Sequence, residues 1–165
     1  MNYIIFALPR SRTTWLANFL THGNQVCLHE PLASVNSLSE VNGYAHGFAD
    51  TSACLNWRRV IAQWPEAKRV VVERPLESVQ ASLKRKGAHS PLLEHAATCL
   101  SELPADLRIP YDSLNARLPE LWALVRGDDF PEHRFNWLRD VKVEPDLTSL
   151  LGKTDSARLR RVLDL

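Results

Sequence analysis

Three cysteines and six glycines are few for 165 residues, and each shortage closes off a class of function. Cys27, Cys54 and Cys99 are odd in number, and no two stand at metal-ligand or redox spacing. They read as reduced, mostly buried thiols, which suits a cytoplasmic protein. No cluster of Asp, His and Cys marks a catalytic metal, so none is expected. Basic residues outnumber acidic ones by 20 to 19, which leaves no global field to draw the chain onto nucleic acid or an anionic membrane. The apolar run at the amino end is too short for a membrane span and lacks the basic leader of a signal peptide. Gly-Lys-Ser/Thr is absent, which argues against an ordinary ATPase or GTPase.

What is present is the pattern of an α/β protein. Tyr3 to Leu8 is a continuous apolar run with β-branched and aromatic residues, the mark of a strand buried on both faces of a parallel sheet. Pro9 stops it, and a helix follows from Thr13 or Thr14, with Leu16, Phe19 and Leu20 on one face and Gly23 as its stop. Further strands are expected at Gln25–His29, Phe48–Ser52, Arg69–Val72 and Leu107–Pro110, with a short one at 141–143. Helices are expected around Trp57–Trp64, after Pro75, over Leu92–Leu103, near Pro119, over Phe130–Asp140 and over Ala157–Leu165. Ala33–Gly47 reads as a long surface loop. Alternating strands and helices imply a single domain over 1–165, a three-layer, doubly wound, mostly parallel sheet of the P-loop nucleotide-binding type. Ligands of such sheets bind beyond the carboxyl ends of the strands, which points to segments 9–15, 29–32 and 73–82.

The first of these reads Pro9-Arg10-Ser11-Arg12-Thr13-Thr14-Trp15. A strand-to-helix loop exposes backbone N–H groups at a helix N-terminus, where they and the helix dipole bind phosphate or sulfate. Two arginines and three hydroxyls surround that point. The bland alternative is a solvated turn with an ordinary hydroxyl cap. In the third segment Arg74 follows a buried strand, and Ser82 lies eight residues further, about two turns into the next helix. Ser78 and Ser82 share a face while Leu76, Val79 and Leu83 point to the core, so Arg74 and Ser82 can converge on one anion. The basic run Lys84-Arg85-Lys86, with Arg69, reads as solvated charge.

Together these segments resemble the PAPS-dependent sulfotransferases. Pro9–Leu16 is similar to that family's 5′-phosphosulfate loop, and Arg74, Pro75 and Ser82 to its 3′-phosphate motif. The resemblance implies that Arg10 contacts the 5′-phosphate and the bridging oxygen, that Ser11, Thr13 and Thr14 complete the cradle, and that Trp15 stacks on adenine. It implies that Arg74 and Ser82 hold the 3′-phosphate and that Tyr111, in Arg108–Leu114, approaches the adenine. Arg12 stands where the family has glycine. If that position needs a positive φ, arginine pays a strain cost; alternatively Arg12 adds a third cation. The implied donor is 3′-phosphoadenosine 5′-phosphosulfate, the product is adenosine 3′,5′-bisphosphate, and the acceptor is a small or exposed hydroxyl (or amine).

Sulfuryl transfer needs a base near the first loop. Glu30, after the second strand, is the first choice; His29 and Asp50 are the others. Two further readings remain open: a nucleotide-binding protein that does not catalyse transfer, and a P-loop kinase in which Glu73 serves a magnesium site.

Overall fold

The computed structural model describes residues 1–41, 43–141 and 156–165. Five strands form one all-parallel sheet: β1 (Tyr3–Ala7), β2 (Cys27–His29), β3 (Gly47–Asp50), β4 (Lys68–Glu73) and β5 (Leu107–Pro110), in the order β2-β3-β1-β4-β5. Among the described residues seven helices accompany them: α1 (Thr13–Leu20), α2 (Trp57–Gln63), α3 (Leu76–Arg85), α4 (Leu93–Glu102), α5 (Leu118–Val125), α6 (Glu132–Leu138) and α7 (Ser156–Leu163).

The central strand shows why the sheet is covered on both sides. All five residues of β1 are fully buried, and they alternate between two cores. Ile4 and Phe6 join Val71 of β4 beneath α2, α3, α4 and α7, through Val60, Val79, Leu83, Leu100 and Val162. Tyr3, Ile5 and Ala7 join Val70 and Val72 beneath α1, α5 and α6, through Leu16, Phe19, Leu121 and Trp122. The three layers expected from the sequence are therefore present, and the sheet is wholly parallel.

Local differences have local causes. β2 is shorter than expected because His22 and Gln25 pair with each other in a turn, while the Thr21 hydroxyl bonds to the backbone of Cys27. α6 starts after Pro131, leaving Phe130 to pack against Phe19 and Trp122. The loop before β3 carries two short 3₁₀ turns, Pro31–Ala33 and Leu38–Glu40. Val141 is not in a strand, and 142–143 lie outside the described residues. At the start of β3, Gly47 has no substitute: a Cβ there would collide with the Tyr3 ring.

The topology sets where chemistry can occur. β1 is flanked by β3 and β4, so the chain leaves β1 in one direction and later returns to its other side. The crevice at this switch point opens at the carboxyl ends of the strands. Pairing of Ala7 with Val72, and of Glu73 with Pro110, brings Arg10, Arg74 and Tyr111 to that one edge. The edge opposite holds Arg69, whose guanidinium pairs with Asp106 at 3.1 Å, away from the crevice.

Candidate functional site

The loop after β1 is built around a buried serine. Ser11 is wholly buried, and the residues on either side of it, Arg10 and Arg12, have left-handed backbones with φ of 66° and 63°. The position where glycine was expected does require a positive φ, and arginine adopts it at a cost of about 1 kcal/mol. The Ser11 hydroxyl has no hydrogen-bond partner among the described residues. α1 begins directly after; its N-cap residue, Arg12, makes no side-chain capping bond, and its first turn holds no acidic residue. Its first N–H groups and its dipole are left for an anion.

Three residues far apart in sequence close on this loop. Arg10 Nε donates to Ser82 Oγ at 3.4 Å, across 72 residues. Arg74 Nη1 donates to the carbonyl oxygen of Arg10. The Arg74 guanidinium also lies over the Tyr111 ring, 4.2 Å from its centroid, and has no carboxylate partner among the described residues. Arg10, Arg74, Ser82 and Tyr111 thus form one group, with Ser82 only 6% exposed beneath it. Glu73, the candidate magnesium ligand of a kinase, pairs instead with Arg108 at 2.8 Å.

Arg12 and Trp15 do not join that group in the expected way. Trp15 is 3% exposed, stacked on Phe19 at 5.1 Å and bonded through Nε1 to the carbonyl oxygen of Leu138 at 2.9 Å. The Arg12 guanidinium lies over the same indole, 4.3 Å from its centroid, and donates to Asn115 Oδ1 at 2.7 Å. Trp15 therefore presents no open face on which adenine can stack. Arg12 is held by Trp15 and Asn115 instead of reaching toward Arg10. Asn115 carried no signal in the sequence, because only the fold brings the segment after β5 against this loop.

The acid–base residues line the other side of the loop. His29 Nε2 lies 3.0 Å from Thr14 Oγ1 and 3.3 Å from Thr13 Oγ1. Burial lowers the His29 pKa, and the nearby charge of Asp50 offsets part of this. Burial thus favours the neutral ring. Glu30, also left-handed at φ 48°, turns its carboxyl group onto Thr51. It accepts from Thr51 N with both oxygens at 3.1 Å and from Thr51 Oγ1 at 3.1 Å. Burial, and then the neighbouring Asp50, push its pKa well above the usual carboxylate range, and the Thr51 bonds only partly oppose this. Burial and the Asp50 charge thus favour the protonated form of the Glu30 carboxyl group. Asp50 is fully buried and accepts from Leu32 N, Ser52 N, Ser52 Oγ and Ala53 N at 2.6–3.0 Å, bonds that shape the ends of β2 and β3.

Against known proteins, the fold has a clear counterpart. It matches a solved sulfotransferase. That protein, from Alicyclobacillus acidocaldarius, superposes with a TM-score of 0.52 over 99% of this chain and 95% of its own. Sequence identity is 15%, so the likeness extends to the fold and not to individual residues. No protein-family model matches the chain, and no curated protein matches it in sequence. Among the described residues no group of His, Cys, Asp and Glu is arranged to hold a metal ion, and no helix is long and apolar enough to cross a membrane.

Proposed function

We propose that this chain is a sulfotransferase that uses 3′-phosphoadenosine 5′-phosphosulfate, acting as one domain on a hydroxyl or amine acceptor. The observation that carries this reading is the meeting of Arg10, Arg74 and Ser82 at the mouth of an uncapped helix, on a fold shared with a sulfotransferase. A phosphate-binding helix start alone fits many nucleotides. An arginine and a serine from β4 and α3, placed beside it, fit a nucleotide with phosphates at both ends.

In this reading the 5′-phosphosulfate sits against Arg10, the N–H groups of Thr13 and Thr14, and the Ser11 hydroxyl, whose missing partner the anion supplies. Arg74 and Ser82 take the 3′-phosphate. The acceptor oxygen forms a bond to sulfur as the bond from sulfur to the bridging phosphate oxygen breaks. Charge gathers on the leaving phosphate, where Arg10 and the helix N-terminus stand. The acceptor's proton passes to His29 Nε2, beside the Thr14 hydroxyl, on a ring whose burial favours the neutral form. Asp50 stabilises the imidazolium that results, and Glu30 holds the β2 end in place through Thr51.

The direct test is calorimetric titration with adenosine 3′,5′-bisphosphate and with 5′-AMP, in the presence of a chelator. Preference for the bisphosphate supports the paired phosphate sites, and labelled sulfuryl transfer to a panel of phenols and alcohols then tests catalysis. Equal or absent binding would sink the assignment. A requirement for magnesium would favour the kinase reading.

A further inference from the structure

Both aromatic rings beside the phosphate loop already carry an arginine. Arg12 lies over Trp15 at 4.3 Å, and Arg74 lies over Tyr111 at 4.2 Å. Stacking on an aromatic face is the usual sequence-tolerant way to hold a base. Here Trp15 has Phe19 stacked at 5.1 Å with planes 12° apart, Arg12 against it as well, and 3% of its surface exposed. Arg12 is not a loose surface arginine. Its backbone is left-handed, at the start of α1, so its side chain leaves the loop in a fixed direction, and Asn115 holds the guanidinium at 2.7 Å. A cation on an indole face, with a neutral hydrogen-bond partner, is a stable pairing that an incoming base must displace.

We propose that Arg12 is a specificity-determining residue, which closes the Trp15 ring and makes the site read the phosphates of its donor with little discrimination among bases. The inference rests on the proposed sulfotransferase function and refines its donor class: a ribose 3′,5′-bisphosphate unit is the recognised part, and the base lies outside the tight contacts. Arg10, Arg74 and Ser82 supply that recognition, and none of the three depends on Trp15.

The experiment is titration of the full chain and of Arg12→Gly with adenosine, uridine and cytidine 3′,5′-bisphosphates and with ribose 3,5-bisphosphate. Glycine takes the φ of 63° without strain, so the variant is expected to fold. Asn115→Ala, which leaves the loop sequence intact and frees Arg12, serves as the second variant. The native chain is expected to bind all four ligands within about threefold. Arg12→Gly, with its indole opened, is expected to favour the adenine nucleotide by roughly tenfold or more, the scale of one base–aromatic stack, and Asn115→Ala to move the same way by less. A native chain that already prefers the adenine nucleotide by tenfold over ribose 3,5-bisphosphate overturns this inference while leaving the proposed function standing. Unchanged ligand ratios in both variants also overturn it. Failure of every bisphosphate to bind the native chain overturns the inference and the proposed function together.

Discussion

Arg10 and Ser82 meet through a single hydrogen bond, Nε to Oγ at 3.4 Å, that ties the loop after β1 to the second turn of α3. Neither residue alone specifies a ligand. Joined, and with Arg74 anchored on the Arg10 carbonyl, they form the pair of anion positions that the proposed function requires. Arg74→Ala is expected to weaken adenosine 3′,5′-bisphosphate binding by about 10- to 100-fold, the scale of a lost charged hydrogen bond. Ser82→Ala is expected to cost less, and to leave the affinity for 5′-AMP unchanged. Calorimetry with both nucleotides checks this. An equal loss for both would show that Ser82 does not hold the 3′-phosphate.

His29 and Glu30 are adjacent in sequence but are expected to respond differently to substitution. His29→Ala is expected to reduce sulfuryl transfer by 100-fold or more while bisphosphate affinity stays within about threefold. Glu30→Gln keeps a group that can accept from Thr51 and is expected to retain most transfer. Single-turnover transfer from labelled donor, measured beside binding, separates the two. Loss of transfer in Glu30→Gln with His29→Ala active would return the base role to Glu30.

Glu30 also ties stability to pH. Its pKa is raised in the folded protein, so the folded chain holds a proton that the unfolded chain releases above about pH 4.3. The unfolded state then binds fewer protons, and stability falls as pH rises from that value through the folded pKa. Glu30→Gln removes this penalty. The variant is therefore expected to match the native chain near pH 4 and to exceed it increasingly toward pH 8. Thermal unfolding across that range is the check, and parallel curves would contradict a raised Glu30 pKa.

Gly47 and Tyr3 give a prediction in the core. Gly47→Ala places a methyl group against the Tyr3 ring and is expected to destabilise by about 1–3 kcal/mol. Tyr3→Phe removes a buried hydroxyl whose neighbour is the weakly bonding Cys27 thiol, and is expected to be close to neutral. Urea unfolding of both variants tests the packing. A neutral Gly47→Ala would mean that the ring can shift.

The layers of this fold were legible because β1 is a run of apolar residues with no polar break, a signal strong enough to stand alone. The residues that meet at the candidate site were legible for a similar reason: Arg10, Arg74 and Ser82 each sit at a fixed distance from a strand end. The departure at Arg12 was legible too, since a glycine position in a strand-to-helix turn points to a positive φ. What surrounds Arg12 was not. Its neighbours Trp15 and Asn115 meet only because the segment after β5 packs beside α1. The anchoring of Glu30 was not legible, because its partner Thr51 lies at another strand's end, 21 residues away. Pairings between loops of different strands leave no periodic trace in a sequence, and this site consists mostly of such pairings.

The two left-handed arginines around Ser11 also bear on how fast a ligand is captured. A glycine-rich phosphate loop samples many shapes and must be frozen by its ligand. Here the turn is set by the folding of the chain itself, with Arg10 tied to Ser82 and Arg12 to Asn115 before any anion arrives. Association then involves little loop ordering. If the proposed function holds, its rate is expected to be set by diffusion and by stripping water from the anion, as for a preformed mould.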